Sequence, residues 1–288
     1  MIASLKQLYT HPYNIQYPIF ALFRFVVWKL FKLFRLKNFK VKVWGNRFLY
    51  IDYDSFQSMW IMYNWIVDWE EFHLIENYLT NEDIVFDIGT NMGFYTIWMS
   101  KFCNVNGKIH CFEPDCKNFR RLNRNIIINH LQNVTQINQC AVSDYNGHVN
   151  FTEGKDGENH IVNSGSQSTV KVKSIRLDDY VLLHKILQIA YMKIDVEGFE
   201  LSVLKGSIEL LKNKKIDIIQ LEINGQLINS YTDVKELIDL LEFYNYSLYQ
   251  FNVYSRILIP VKFEVGRENY FAIADIQKVN NKIHKKIQ

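Results

Sequence analysis

Five carboxylates stand where they could act on a small charged ligand. Asp87 follows the apolar run Ile84-Val-Phe86, Glu113 ends Lys108-Ile-His-Cys-Phe112, Asp195 follows Ile189 to Ile194, and Glu222 follows Ile216 to Leu221, with Glu197 two residues past Asp195. Apolar runs of this kind read as buried parallel strands, and their carboxyl ends line the edge where open α/β sheets bind ligands. Directly after Asp87 comes Gly89-Thr-Asn91-Met-Gly93, a tight turn suited to bringing bare backbone against a ligand. A dinucleotide site needs G-x-G-x-x-G so that a helix N-terminus can approach a pyrophosphate. Here only two glycines occur, spaced G-x-x-x-G, and Asp87 would repel a pyrophosphate while pairing with a ligand ammonium group. Glu113 is placed to accept hydrogen bonds from both hydroxyls of a ribose. An adenosine that carries an amino acid in place of a pyrophosphate is S-adenosylmethionine, the cofactor these residues predict.

The elements that must hold these acids follow a β-α rhythm. Strands are expected near 84–88, 108–112 and 135–141, with helices near 93–103 and 115–131, the latter opened by Pro114-Asp115. Asn146-Gly147 then predicts a hairpin turn into His148 to Phe151, and Thr169 to Ser174 alternates as a partly exposed strand. Between these pieces, residues 154–168 include Gly154, Gly157, His160 and Gly165, a composition poor in core formers and expected to serve as a mobile substrate lid. The sheet resumes at 189–194 and 216–221 around a helix near 200–211, and further strands are expected at Tyr246 to Phe251 and Tyr270 to Ala274. Past Asp275 the Lys-rich tail, 276–288, is expected to fray.

The ordered blocks Val85-Phe-Asp-Ile-Gly-Thr-Asn-Met-Gly-Phe-Tyr-Thr96, Phe112-Glu-Pro114 with Asn125, Ala141-Val-Ser-Asp144, Leu177-Asp-Asp179, Met192-Lys-Ile-Asp-Val-Glu-Gly-Phe-Glu200 and Gln220-Leu-Glu222 resemble the FkbM family of class I S-adenosylmethionine-dependent methyltransferases. The resemblance spans roughly residues 69–275 and departs mildly at Thr90, where the family usually has Ala or Gly. It implies a doubly wound, mostly parallel, seven-stranded Rossmann-like α/β sheet whose last strand is antiparallel. It also implies that Gly89, Asn91 and Gly93 cradle the methionine moiety, that Asp87 approaches its ammonium, that Glu113 holds the ribose and that Ser143 and Asp144 meet the adenine. Strand-end placement and the resemblance together assign Asp195 to positioning cofactor or substrate, Glu197 to the general base or a substrate hydrogen-bond acceptor, and Glu222 to a second substrate contact. Glu200 reads as a charge at a helix N-terminus rather than a catalytic acid. Without a D-x-[DN]-x-[DN]-G run, no metal is expected. The reaction implied is O-methylation of a hydroxyl on a sugar, a glycan or another small molecule.

Ahead of this region lies a chemically different segment, 1–68. The first fifty residues carry nine Lys or Arg and no Asp or Glu, although the whole chain is only +3. Pro18 to Leu36 reads as a helix with Arg24, Lys29, Lys32 and Arg35 along one arc and apolar residues elsewhere. Arg24 and Lys29 interrupt it too early for a transmembrane span, so the chain is expected to be cytoplasmic, neither exported nor membrane-spanning. Phe20, Phe23, Val27, Phe31 and Phe34 are expected to pack on the catalytic domain or on a second copy in a homo-oligomer, with peripheral contact to the inner membrane face through 18–36 as the alternative. A short hairpin is expected over Phe39 to Tyr53 with Gly45-Asn46 at its turn, then one helix from Trp60 to Tyr78 carrying Glu70 and Glu71. The four cysteines lack metal-site spacing and read as small residues of a reducing compartment. Rival readings are an NAD-binding oxidoreductase, which lacks its third glycine, and a noncatalytic module, which would not keep the strand-end acids. A nucleic-acid methyltransferase is disfavoured because the basic residues border an apolar face rather than a polar groove with stacking aromatics.

Overall fold

Short, uninterrupted apolar runs make the centre of this protein a sheet, and amphipathic runs between them make its helices. The computed structural model describes residues 9–103, 108–152, 161–162, 169–223, 231–264, 267 and 269–287. The chain divides into two units, Met1–His73 and Leu74–Gln288.

In the first unit, helices Pro12–Gln16 and Pro18–Leu33 each begin with proline, which suits an N-terminal position that donates no helical hydrogen bond. The expected hairpin is present as β1 (Phe39–Lys42) paired antiparallel with β2 (Phe48–Ile51). The expected single helix over 60–78 is instead two, Phe56–Asn64 and Trp69–Tyr78. Trp65, at φ 64°, ends the first of them, and its carbonyl accepts the indole N–H of Trp44 at 3.2 Å. Helix Pro18–Leu33 buries Phe31 as expected, but it leaves other expected packing positions uncovered within this chain. Ala21, Arg24, Trp28 and Phe31 are its buried positions, whereas Phe20, Phe23 and Phe34 are exposed. Arg24 does not edge a basic surface: its guanidinium donates to Asn14 Oδ1 (2.8 Å) and to the carbonyl of Met62 (3.3 Å) and lies over the rings of Tyr13 and Trp65.

The second unit contains strands β3 (Val85–Ile88), β4 (Ile109–Phe112), β5 (Thr135–Asn138), β6 (Ala141–Val142), β7 (Gly147–Thr152), β8 (Ile161–Val162), β9 (Thr169–Ile175), β10 (Ile189–Ile194), β11 (Ile216–Glu222), β12 (Ser247–Asn252), β13 (Ile257–Pro260) and β14 (Asn269–Ile273). Its main sheet has the order β13-β12-β14-β11-β10-β3-β4-β5. Strands β5, β4, β3, β10 and β11 run parallel, and β14 is antiparallel to both β11 and β12. These are the seven expected strands, and β13 adds an eighth at the edge. Every residue of β3, β4 and β10 is buried, as a strand covered on both faces requires.

The strand expected over 135–141 stops at Asn138, whose side-chain amide donates back to the carbonyls of Cys111 and Gln136. Ala141–Val142 then joins a second, four-stranded sheet, β6-β9-β7-β8, which contains the expected hairpin pieces. The expected lid, 154–168, lies outside the described residues except for β8. The tail is corrected outright: Ile276–Ile287 is a helix. Asp275 Oδ1 caps it by accepting the N–H of Lys278, and Val279 and Ile283, four apart, are buried. Two of its lysines are tied down as well, Lys278 to Asp217 and Lys282 to Asp83, each at 2.6 Å. Lysine content hid a two-residue apolar stripe.

Candidate active site

Strand register assembles the acids. Lys193 of β10 lies opposite Asp87 of β3 on one side and Gln220 of β11 on the other, so residues from three strand ends share one face. Asp87 is fully buried, and Thr96 Oγ1 donates to its Oδ2 at 2.6 Å. Its other oxygen, Oδ1, has no partner. Burial raises the Asp87 pKa, against the opposing pull of Lys193 and the Thr96 hydrogen bond. A buried carboxylate oxygen without a donor fits the ammonium group of a methionine moiety, the role expected for Asp87.

Lys193 organises the cluster. It is buried, its Nζ meets Asp195 Oδ2 at 2.6 Å, and the ammonium lies 4.6 Å from the ring centroid of Tyr95. Burial pulls its pKa down, but Asp195, Asp87 and Glu222 outweigh that pull and keep it protonated. Beside it, Tyr191 Oη donates to Gln220 Oε1 (2.7 Å) and Gln220 Nε2 donates to Tyr95 Oη (2.9 Å), a satisfied polar chain in the sheet's interior.

The turn after β3 is set by close packing rather than by looseness. Gly89 has φ 79°, and a Cβ built there would run into the carbonyl oxygen of Asp195. The bare backbone that seemed meant for a ligand is thus also needed where β3 and β10 end side by side. Asn91 is left-handed at φ 53°, and its N–H donates to Glu113 Oε2 at 2.7 Å. Glu113 Oε1 accepts the N–H of Asp115 at 2.8 Å. Burial raises Glu113 to about 8 in spite of those two bonds. Each carboxylate oxygen can accept a second hydrogen bond, so ribose hydroxyls fit here without displacing the turn. Thr90, the departure from the family pattern, is also structural: its Oγ1 donates to the carbonyl of Asp87 (2.7 Å) and accepts the N–H of Phe112 (3.1 Å).

Past β10 the chain makes a constrained turn in which Glu197 has φ 54°, a region that costs a non-glycine residue energy and that recurs at functional sites. Glu200 holds this turn. It is fully buried, and its Oε1 accepts the N–H groups of Val196 (3.1 Å) and Gly198 (3.2 Å) at the start of helix Glu200–Lys205. Burial raises it to about 7. A carboxyl group raised in the folded state contributes its full stability below the unfolded pKa and loses it as pH climbs through the folded value. Wild-type stability should therefore fall relative to Glu200→Gln by on the order of 2–3 kcal/mol between about pH 4.5 and 8. Urea unfolding of both proteins across that range checks it, and a pH-independent difference would refute it.

Ser143 and Asp144, expected near the adenine, close the bend after β6. Ser143 is buried, and its Oγ shares a 2.5 Å hydrogen bond with Ser174 Oγ. Asp144 Oδ1 accepts the hydroxyl of Ser202 at 2.8 Å. Glu222 ends β11 partly exposed, within electrostatic reach of Lys193. Among the described residues no group of three or more His, Cys, Asp or Glu side chains could hold a metal. A cavity of about 300 Å³ lined by Asp83, Lys185, Gln188 and Asp217 opens where β3, β10 and β11 begin, at the opposite end from these acids. Asp217 is already satisfied there by Tyr78, Gln188 and Lys278.

Sequence reasoning passed over Lys193, Thr96, Tyr95 and Gln220. Lys193 left a usable signal, a lysine within an otherwise apolar buried strand two positions before its terminal acid. The other three look like ordinary helix and strand residues, and only the register brings them together.

Comparison with known proteins fits this geometry. The sequence pattern of the methyltransferase FkbM domain matches residues 87–248, more than half of the chain and the stretch that contains Asp87, Glu113, Asp195, Glu197, Glu200 and Glu222. The chain is 24% identical over 140 residues to hexuronic acid methyltransferase AglP of Haloferax volcanii, covering 49% of this chain and 56% of that one. Among solved structures it is similar to methyltransferase FkbM of Methylobacillus flagellatus, at 14% identity and TM-score 0.44, with 75% of this chain and 53% of that chain covered. It is also similar to a putative rRNA methylase of Clostridium thermocellum, at 10% identity and TM-score 0.45, with coverages of 70% and 90%. The chain thus spans little more than half the length of the first two. The family match argues against the oxidoreductase reading and makes residues 87–248 a methyltransferase FkbM domain, a family whose methyl donor is S-adenosylmethionine. The chain belongs to the methyltransferase FkbM domain family.

Proposed function

We propose that this protein O-methylates a sugar hydroxyl, with a hexuronic acid unit of a glycan as the acceptor class. The observation that supports it most is the turn at Glu197: a carboxylate on a left-handed residue, clamped by Glu200, beside a strand end whose other acid is already neutralised by Lys193. An alcohol attacks a methyl group only when its proton can leave, and a positioned carboxylate typically contributes ~10²–10⁴-fold by accepting it. The similarity to a protein named hexuronic acid methyltransferase supplies the substrate class.

S-adenosylmethionine, when bound, supplies an activated methyl group. Asp87, through its unpartnered oxygen, and Glu113 would hold it, with the backbone from Gly89 to Gly93 against the methionine end. Ser143 and Asp144 border the expected adenine end. Lys193 pairs with Asp195 at 2.6 Å and holds it in place, so Asp195 orients the reactants and Glu197 is left to take the proton. Glu197 accepts the hydroxyl proton, and Glu222 receives a second hydroxyl of the sugar. An acceptor in this role needs no nucleic acid, and the buried cysteines suit a reducing, cytoplasmic setting.

Transfer of labelled methyl from S-adenosylmethionine to hexuronic-acid oligosaccharides, followed by mass spectrometry of the product, tests the reading. Glu197→Gln should lower kcat by ~10²–10⁴-fold with cofactor affinity unchanged. Unchanged kcat in that variant removes the base, and methyl transfer to nitrogen rather than oxygen removes the reaction.

A further inference from the structure

We propose that helix Pro18–Leu33 lies in the surface of an anionic lipid bilayer, with its exposed apolar face among the acyl chains and its lysines at the headgroups. The helix is apolar on both sides. Its inner side is filled by Ala21, Trp28 and Phe31 with the satisfied Arg24 among them. On its outer side Ile19, Leu22, Phe23, Val26, Leu30 and Leu33 fall within an arc of about 100°, at 100° per residue. All six are exposed, Ile19 by 82% and Leu33 by 72%. A monomeric surface rarely carries so many adjacent large apolar side chains unless something else covers them.

Charge says what covers them. Lys29 and Lys32 border one side of this arc, exposed, and Arg35 and Lys40 follow beyond the helix end, also exposed. The whole first fifty residues contain no acid to balance them. A protein partner's face would be depleted of lysine toward its core and matched by acids at its rim. Lysine beside an all-apolar strip of Phe, Leu, Ile and Val is instead the pattern of helices that lie in an anionic interface. Sixteen residues give a helix of about 24 Å, and no helix among the described residues is long and apolar enough to cross a membrane. The orientation is therefore in the plane of the membrane. This inference stands apart from the choice of acceptor.

Flotation of the full chain with vesicles of phosphatidylcholine, with and without phosphatidylglycerol, tests it. Partition should be at least about tenfold higher on the anionic vesicles and should fall with added salt. The Leu22→Glu/Phe23→Glu/Leu30→Glu variant should lower it by at least about tenfold with its thermal midpoint and S-adenosylhomocysteine affinity unchanged, since all three positions are exposed. Lys29→Glu/Lys32→Glu, which reverses the charge beside the strip and leaves its apolar residues in place, should abolish the preference for anionic vesicles and decides the matter even if the first variant misfolds. The proposal falls if the full chain stays unbound with both vesicles or floats equally with both. It falls equally if the chain is a soluble dimer that the first variant converts to monomer, which would make this face a subunit interface.

Discussion

Lys193→Met should cost the ligand-free protein about 3–5 kcal/mol at neutral pH, the usual result of removing one partner from a buried ion pair. The buried ammonium answers Asp195 directly and Asp87 and Glu222 through space, and methionine fills its volume without its charge. The deficit should depend on pH with a definite sign. Asp87 is already raised by burial, and loss of the cation raises it further. A carboxyl group raised in the folded state loses stabilising power as pH climbs through its folded value, so the variant should be closest to wild type near pH 5 and furthest from it above neutrality. Adding Asp195→Asn should recover at least about 2 kcal/mol, because a buried pair replaced as a pair is far less costly than a pair broken. Urea unfolding of the single and double variants at two pH values checks this. A loss under about 1 kcal/mol at pH 7.5 would show that Lys193 is no keystone of the cluster.

Gly89→Ala should be at least as damaging, at about 4 kcal/mol or more. Alanine in the left-handed region costs about 1–2 kcal/mol by itself. The larger part is steric: the new methyl group meets the Asp195 carbonyl, which is backbone and can retreat only if the ends of β3 and β10 part. Parting them would sacrifice the 3.0 Å hydrogen bond from the Asp195 N–H to the Ile88 carbonyl and unseat the acids at both strand ends. Gly93→Ala makes the control. It too has positive φ, yet its methyl group would approach only Leu122 Cδ1, at 2.8 Å, the far end of a side chain that can turn. Thermal unfolding of the two variants should separate them widely, and equal midpoints would mean that the Asp195 contact is not what fixes glycine at position 89.

These two positions show how far the sequence could be read. Asp87, Glu113, Asp195 and Glu222 were legible because a buried strand that ends in an acid leaves a local mark, an apolar run with a charge at its end. That seven strands form one mostly parallel sheet with the last one antiparallel was legible through the resemblance. Lys193 and Gln220 were not, because their meaning is a matter of register between strands 27 residues apart in sequence. Helix Pro18–Leu33 was read only in part, for a related reason. With apolar residues nearly all round the helix, periodicity alone could not say which side was inside, and Arg24 looked like a surface residue until Asn14 and Met62 were found to receive it. The C-terminal helix was hidden by composition, since five of its residues are Lys or His and its burial rests on Val279 and Ile283.

The position of β14 has a consequence for how the chain becomes this structure. It is the last strand in sequence, yet it lies between β11 and β12, both made earlier. The sheet therefore cannot zip up in order of synthesis. Until Asn269–Ile273 has emerged from the ribosome, β11 presents an open edge and β12 with its hairpin partner β13 has no sheet to join. An unpaired hydrophobic edge is a template for the wrong partner. The interval between translation of β12 and β14 is thus when a nascent chain of this protein is most exposed to misassembly and most in need of a chaperone.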